Sequence, residues 1–432
     1  MDIAPLFGPA EASDATLSAV ARGVVGSEIL RMAAEVRALI ARGVPLCNLT
    51  VGDFDPAQFP VPPLLVEATC DALARGETNY PASDGLPALR EAIVRYTERE
   101  LKLRYPVDSV VVAAGARPLL YGVFRTVVDP GDVVLYSVPS WNNNHYVYLS
   151  GARGVELPVH ETSNFFPTAE QIHPHLQTAR LLMLNSPLNP TGTVIAPDAL
   201  AAIATLVVEE NRRREAAGRR PLFLFFDQVY GMLTFHGTVH ATPPELVPEV
   251  APFSILVDAV SKSFCATGLR VGWGLMPPGL RQRTADLLGH VGAWAPRAEQ
   301  VGTALLLDSP DAYRPWRAET KEKLKLRLDA LYDGLMAMKR DGLPADAIEP
   351  QGAIYLSAHF PLIGRRWKGE TIRTNEQIRK ILLEEAGFAV VPFQAFGLKE
   401  ETGWFRLSVG AVSPDEIARV LPRLAAVLAA AR

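Results

Sequence analysis

Short, nearly continuous apolar runs alternate with Ala- and Leu-rich helical stretches through the middle of this chain, and no other feature restricts its fold as much. The runs lie at 109–113, 133–137, 154–158, 181–185, 222–227 and 254–258. Runs that lack an alternating polar face suit strands buried on both sides of a parallel sheet. Helical stretches at 118–128, 197–217 and 280–291 fall between them. This β-α-β order implies an α/β fold, with a three-layer α/β/α large domain built on a mostly parallel sheet. Ligands of such sheets bind beyond the carboxyl ends of the strands. The residues just past each run are therefore the first candidates for chemistry.

Two regions break the rhythm. A helical stretch at 30–42 leads to a strand at 47–51 and a proline-rich turn. A charged amphipathic segment at 316–339 opens a region with strands at 353–357 and 404–408 and a helix at 375–386. Both chain ends are expected to form a smaller α+β domain. The expected division is an N-terminal arm and first part of the small domain at 1–60, a large domain at 61–312, and the rest of the small domain at 313–432. A chain of 432 residues that is 48% hydrophobic has enough length and apolar content for both cores.

Charge and cysteine usage exclude several classes. The 43 Lys and Arg against 47 Asp and Glu leave a net charge of -4. No basic run carries the interleaved aromatics of a nucleic-acid surface, so no nucleic-acid partner is expected. The basic stretch 212–220 reads as a solvated helix end. Apolar runs fall far short of the roughly 20 residues that cross a bilayer, and no membrane association is expected. Residues 1–12 lack the basic start of a signal peptide. Cys47, Cys70 and Cys265 cannot all pair and have no metal spacing, which fits a cytoplasmic setting. His173 with His175, and His236 with His240, have no carboxylate or cysteine to complete a ligand set, so no metal is expected.

Lys262 follows the run at 254–258, inside Ser261-Lys262-Ser263-Phe264-Cys265-Ala266-Thr267-Gly268-Leu269-Arg270. A lysine desolvated in such a turn has lowered basicity and can form Schiff bases with carbonyl compounds. Asp227 ends the run at 222–227, and a carboxylate there needs a cationic or N–H partner. Asn185-Ser186-Pro187-Leu188-Asn189-Pro190-Thr191-Gly192 makes a tight loop presenting Asn189, and Pro139-Ser140-Trp141 offers an aromatic face. Ala114-Gly115-Ala116-Arg117-Pro118 can aim backbone N–H groups and a helix N-terminus at a phosphate.

Together these residues resemble the class I/II aminotransferase family of fold-type I pyridoxal-phosphate enzymes, from about Leu30 to the C-terminus. The most specific pieces are the Asn-Pro-Thr-Gly loop, Asp227 with Tyr230, and Ser261-Lys262 followed by Gly268-x-Arg270-x-Gly272. Tyr80 with Gly85 and Leu89-Arg90, Gly131-Asp132 and Phe405-Arg406-Leu407-Ser408 follow the same order. The resemblance implies that the large domain binds pyridoxal 5'-phosphate, an electron sink for the carbanion of an amino acid. It makes Lys262 the Schiff-base and proton-shuttle lysine, Asp227 the partner of the pyridine nitrogen, and Asn189 and Tyr230 the partners of the phenolic oxygen. Trp141 would stack on the ring, with Gly115, Ala116, Arg117, Ser261 and Arg270 around the phosphate. Tyr80 would reach the phosphate of a second subunit, which implies a homodimer with shared active sites. Arg406 would grip the substrate α-carboxylate beside Gly52, with Trp141 and Asn189 also lining the substrate.

The implied reaction is transfer of an amino group from an α-amino acid to a 2-oxo acid by a ping-pong mechanism. The alternative is a pyridoxal-phosphate β-lyase acting on C–S bonds, or a synthase or decarboxylase. A regulator with such a domain fused to a DNA-binding module needs more chain than the about 30 residues that precede the resemblance. Departures from the family pattern are Ala259 in place of a hydroxyl residue three before the lysine, Gln228 after Asp227, and Pro392-Phe393-Gln394-Ala395-Phe396-Gly397 near the substrate. Arg297 offers a second carboxylate site, while Trp294, Phe393 and Phe396 would favour an aromatic or aliphatic side chain.

Overall fold

The computed structural model describes residues 1–7, 16–26 and 28–431; residues 8–12 of the N-terminal stretch considered above lie outside it. Helix α1 (Glu28–Ala41) leads to a short strand, β1 (Cys47–Asn48), and then to helices α2 (Pro63–Ala74) and α3 (Pro87–Leu101). A seven-stranded sheet follows: β2 (Val110–Ala113), β3 (Val133–Val138), β4 (Arg153–Pro158), β5 (Ala179–Asn185), β6 (Phe223–Asp227), β7 (Ser254–Ala259) and β8 (Gly272–Leu275). Its order is β2-β8-β7-β6-β5-β3-β4. All pairs from β7 to β4 are parallel, and β8 runs antiparallel to both of its neighbours.

Alternate residues of each strand point to opposite faces, and each face carries its own core. Val112, Leu182, Leu224, Phe226 and Leu256 pack with Ile93 of α3 and with Leu200 and Ile203 of a later helix, Pro197–Ala216. Val111, Leu181, Phe225 and Val257 pack on the other face with Leu119, Val123 and Phe124, which lie on the helix Ala116–Val127. Two helical layers therefore enclose the sheet, the three-layer arrangement expected. In chain order we number these helices α4 (Ala116–Val127), α5 (Asn143–Ser150), α6 (Pro197–Ala216), α7 (Pro278–His290) and α8 (Arg297–Leu307).

Beyond α8, the long helix α9 (Pro310–Arg340) leads to β9 (Asp346–Ala347), β10 (Tyr355–His359), a small hairpin of β11 (Arg366–Trp367) and β12 (Glu370–Thr371), α10 (Asn375–Ile381), β13 (Phe388–Ala389), β14 (Val391–Pro392), β15 (Trp404–Ser408) and α11 (Pro414–Ala430). Strands β14, β15, β10 and β9 form an antiparallel sheet in that order, while β1 pairs with β13. Cys47, Leu49, Phe54 and Phe59 from the start of the chain share one core with Leu324, Leu356, Phe405 and Ile417 from its end.

Three local expectations need correction. Strand 154–158 is an edge strand, with Arg153 and Gly154 exposed, so it is not buried on both faces. The strand expected at 353–357 begins only at Tyr355, because Ala353 has a left-handed φ of 61° that extended structure excludes. The basic stretch 212–220 is not simply solvated. Arg214 is 4% exposed, pairs with Glu210 at 2.8 Å and donates to the carbonyls of Leu176 and Ala179, tying α6 to the start of β5.

Candidate active site

Strand ends supply the framework. β5 and β6 finish side by side at Asn185 and Asp227. Asn185 Nδ2 donates to the Asp227 carbonyl, and its Oδ1 accepts the Asn189 amide, both at 2.9 Å. This pins the Asn189-Pro190-Thr191-Gly192 loop at the carboxyl ends of β5 and β6. Ser357 of β10 fastens the loop from the other sheet, donating from Oγ to the Thr191 carbonyl at 2.7 Å.

Lys262 lies on a single helical turn, Val260–Ser263, directly after β7. Its Nζ donates to the Gly52 carbonyl at 2.7 Å and lies 5.7 Å and 5.9 Å from the ring centres of Phe54 and Tyr230. Burial pushes the ammonium down to about 8; the nearby Asp53 carboxylate opposes this, and Arg406 adds to it. Asp53 is itself fixed by Thr267, whose Oγ1 donates to it at 2.7 Å. Cys265 is buried too, and burial raises its thiol to about 12, the reverse of an activated nucleophile.

Asp227 sits deep in the cleft beside Trp141 and Asn185. Burial pushes its carboxyl up to about 6 against one hydrogen bond, donated by the Val229 amide at 3.1 Å. Near the start of α4, Arg270 donates to the carbonyls of Thr267 and Ala114 at 2.6 and 3.0 Å. Burial, and then the like charge of Arg117, lower its basicity. Arg117 lies 5.0 Å from the centre of the Trp141 ring. Gly115 has a φ of 90°, a backbone conformation that calls for glycine, and a Cβ there would lie 2.2 Å from Arg270 Nη2 and displace that guanidinium. Ala116 opens α4 with no side-chain cap, and Ser261 is half-buried at the lysine turn.

Arg406, on β15, is 1% exposed. It donates to the Thr50 carbonyl at 2.7 Å and to Asn189 Oδ1 at 3.2 Å, while its Nε is buried without a partner. Tyr355 and Phe396 present their rings 4.7 and 4.9 Å from the guanidinium carbon. A buried cation with an unpaired N–H is costly unless an anion joins it. Gly52 leaves room for one: a Cβ there would lie 3.0 Å from Tyr355 Oη and 3.6 Å from Arg406 Nη1. Tyr230 Oη meets Tyr355 Oη at 2.6 Å.

Tyr80 stands apart from this cluster, 83% exposed, with its ring edge-on to Trp294 at 5.1 Å. Arg297 is paired with Glu77. Phe393 is fully buried against Phe165 and Trp404, and Gln394 is taken up by Asn375 and the Glu400 carbonyl. Of the aromatic candidates, Phe396 reaches Arg406. His236 bonds Asp329 at 2.8 Å, and His240 stacks on Phe226. Among the described residues, no group of three or more His, Cys, Asp or Glu could hold a metal ion, and no helix is long and apolar enough to cross a membrane. Sequence reasoning missed Asn185, Asp53 and Tyr355. Asn185 was legible as the polar residue that ends a buried run, whereas Tyr355 reads as core in Gly352-Ala353-Ile354-Tyr355.

A family model for aminotransferase class I and II matches residues 44–424. The chain belongs to the class I and II aminotransferases. It is 31% identical to the aspartate aminotransferase of Rhizobium meliloti strain 1021 over 405 residues, 93% of each chain. It is also 31% identical to the aspartate/prephenate aminotransferase of Thermus thermophilus over 392 residues, 90% of this chain and 92% of that protein. A crystal structure of the aspartate aminotransferase from Rhizobium meliloti superposes with a TM-score of 0.87 at 28% identity, covering 96% of this chain and 99% of that one. This family member is a pyridoxal-phosphate-dependent transaminase. Its residues suit the cofactor: Asp227 is a buried carboxylate whose hydrogen bond comes from the Val229 amide, Arg117 and Arg270 converge beside a helix N-terminus, and Lys262 is an amine of lowered basicity.

Proposed function

We propose that the enzyme moves an amino group between an α-amino acid and a 2-oxo acid by a ping-pong cycle centred on Lys262 and Arg406. One observation carries the reading. The segment Thr50–Gly52 gives one carbonyl to Arg406 and another to Lys262, so a carboxylate on the guanidinium would bring its α-carbon to the amine. Pyridoxal phosphate, when bound, supplies the electron sink for the pair released as the α-proton leaves. Lys262 would hold the cofactor and then, as a free amine, take and return that proton. Asp227 would keep the ring nitrogen protonated. Tyr230 and Asn189 would bond the phenolic oxygen, and Trp141 would stack on the ring. The phosphate would lie against Gly115, Ala116, Arg117, Ser261 and Arg270. The substrate side chain would extend into the groove of about 300 Å³ beside Trp141, which Asn142, His145 and Gln394 also line.

We further propose the division 1–60, 61–312 and 313–432, on the support of the core in which Cys47, Leu49 and Phe54 join Leu324, Leu356 and Phe405. A homodimer with shared sites is supported by Tyr80, exposed far beyond the norm for a large aromatic ring, and by apolar Val66, Leu73 and Leu305 exposed on α2 and α8. A cytoplasmic location is supported by three unpaired thiols. A panel of amino donors, aspartate among them, assayed with 2-oxoglutarate tests the reaction. Parallel double-reciprocal plots and formation of the matching 2-oxo acid are expected. Release of ammonia and pyruvate without glutamate would point to elimination instead.

A further inference from the structure

We infer that Tyr355 is a positioning residue that acts on the bound cofactor through Tyr230, an inference that rests on the cofactor role proposed for Tyr230. The two hydroxyl oxygens lie 2.6 Å apart, and both side chains are buried, Tyr230 at 3% and Tyr355 at 1% exposure. A tyrosine hydroxyl has one proton to donate and lone pairs to accept with. Once Tyr230 gives its proton to the phenolic oxygen of the cofactor, only Tyr355 can be the donor between the two. The chain of bonds then runs in one direction, from Tyr355 to Tyr230 to the cofactor. A hydrogen bond received by Tyr230 polarises its own O–H and makes it a stronger donor. Tyr355 would thus hold the phenolic oxygen in its unprotonated form more firmly than Tyr230 alone.

The same side chain has a second duty that must be separated from the first. Its ring lies 4.7 Å from the Arg406 guanidinium, and its hydroxyl is the atom nearest to a Cβ built at Gly52, at 3.0 Å. Phenylalanine keeps that ring and removes only the hydroxyl. Among the described residues, the Tyr355 hydroxyl forms its hydrogen bond with Tyr230.

The test uses the cofactor-loaded protein as Tyr355→Phe, Tyr230→Phe and the double variant, with visible absorbance titrated against pH. Losing one neutral hydrogen bond should move the midpoint of the Tyr355→Phe titration upward by up to about one pH unit. Tyr230→Phe should move it at least as far, and the double variant should add little to Tyr230→Phe, because Tyr355 acts only through that residue. The KM for the 2-oxo acid should stay within about twofold of the parent while kcat falls, since the ring under Arg406 is retained. A Tyr355→Phe midpoint equal to the parent's, with Tyr230→Phe shifted, overturns the inference and leaves the role of Tyr230 standing. Shifts that add fully in the double variant also overturn it. If neither single variant moves the midpoint, the cofactor role of Tyr230 falls, and this inference falls with it.

Discussion

Arg406 donates to Asn189 Oδ1 at 3.2 Å, so a cation on the small antiparallel sheet meets the loop that follows β5 of the large one. The contact makes carboxylate binding and cofactor binding neighbours. Asn189 is held from below by Asn185, and Arg406 is held from the side by Thr50, with the open space at Gly52 facing its two terminal nitrogens.

Arg406→Lys tests that geometry. Lysine keeps a positive charge and loses the planar two-donor fork. A loss of about 2–4 kcal/mol in transition-state binding is expected for such a charged pair. Both half-reactions should suffer equally, because donor and acceptor each present an α-carboxylate. Stopped-flow measurement of the two half-reactions, with the cofactor absorbance unchanged, checks it.

Asp227→Asn should have opposite effects on the cofactor-loaded and cofactor-free protein. Without cofactor, the carboxyl is raised from 3.8 to about 6 by burial. A raised folded value means that its contribution to stability is intact below the unfolded value and lost as pH rises from about 4 through 6. Asparagine carries no such loss, so the cofactor-free variant should be more stable than the parent above pH 6, by up to about 3 kcal/mol. The gain should fade toward pH 4 in denaturant titrations. With cofactor, the variant should retain it less tightly and turn over far more slowly.

Arg214→Met should cost about 3–5 kcal/mol of stability, because Glu210, 2% exposed, is left buried and the carbonyls of Leu176 and Ala179 lose a donor. Cofactor absorbance of the folded fraction should not change. Urea denaturation followed by circular dichroism gives the number.

This arginine also shows where sequence reading stops. A basic run at a helix end looks the same whether it faces water or a neighbouring strand, and only the packing of α6 on β5 decides. Strands β3, β5, β6 and β7 were legible because burial on both faces demands uninterrupted apolar residues. β8 was not, since Gly272-Trp273-Gly274-Leu275 has weak strand preference of its own and is extended by pairing with both β2 and β7. The lysine, the aspartate and the asparagine could be found from their places after strands. Tyr355 could not, because an aromatic residue in an apolar strand gives no sign that its hydroxyl faces a partner 125 residues away.

Tyr80 should act across a subunit boundary. Tyr80→Phe should weaken cofactor retention in the assembled enzyme. Mixing a Tyr80→Phe variant with a Lys262→Ala variant should yield heterodimers with one site holding both native residues, and activity above either parent. Sedimentation should find the active species dimeric; an active monomer would refute the shared site.

Lys262 is the centre of the account, and one measurement reaches it directly. The protein is loaded with pyridoxal phosphate, reduced with borohydride, digested and sequenced by mass spectrometry. The cofactor should be fixed on the peptide containing Ser261-Lys262-Ser263, and Lys262→Ala should carry no label. A label on another lysine, or a protein that takes up no cofactor, would contradict it.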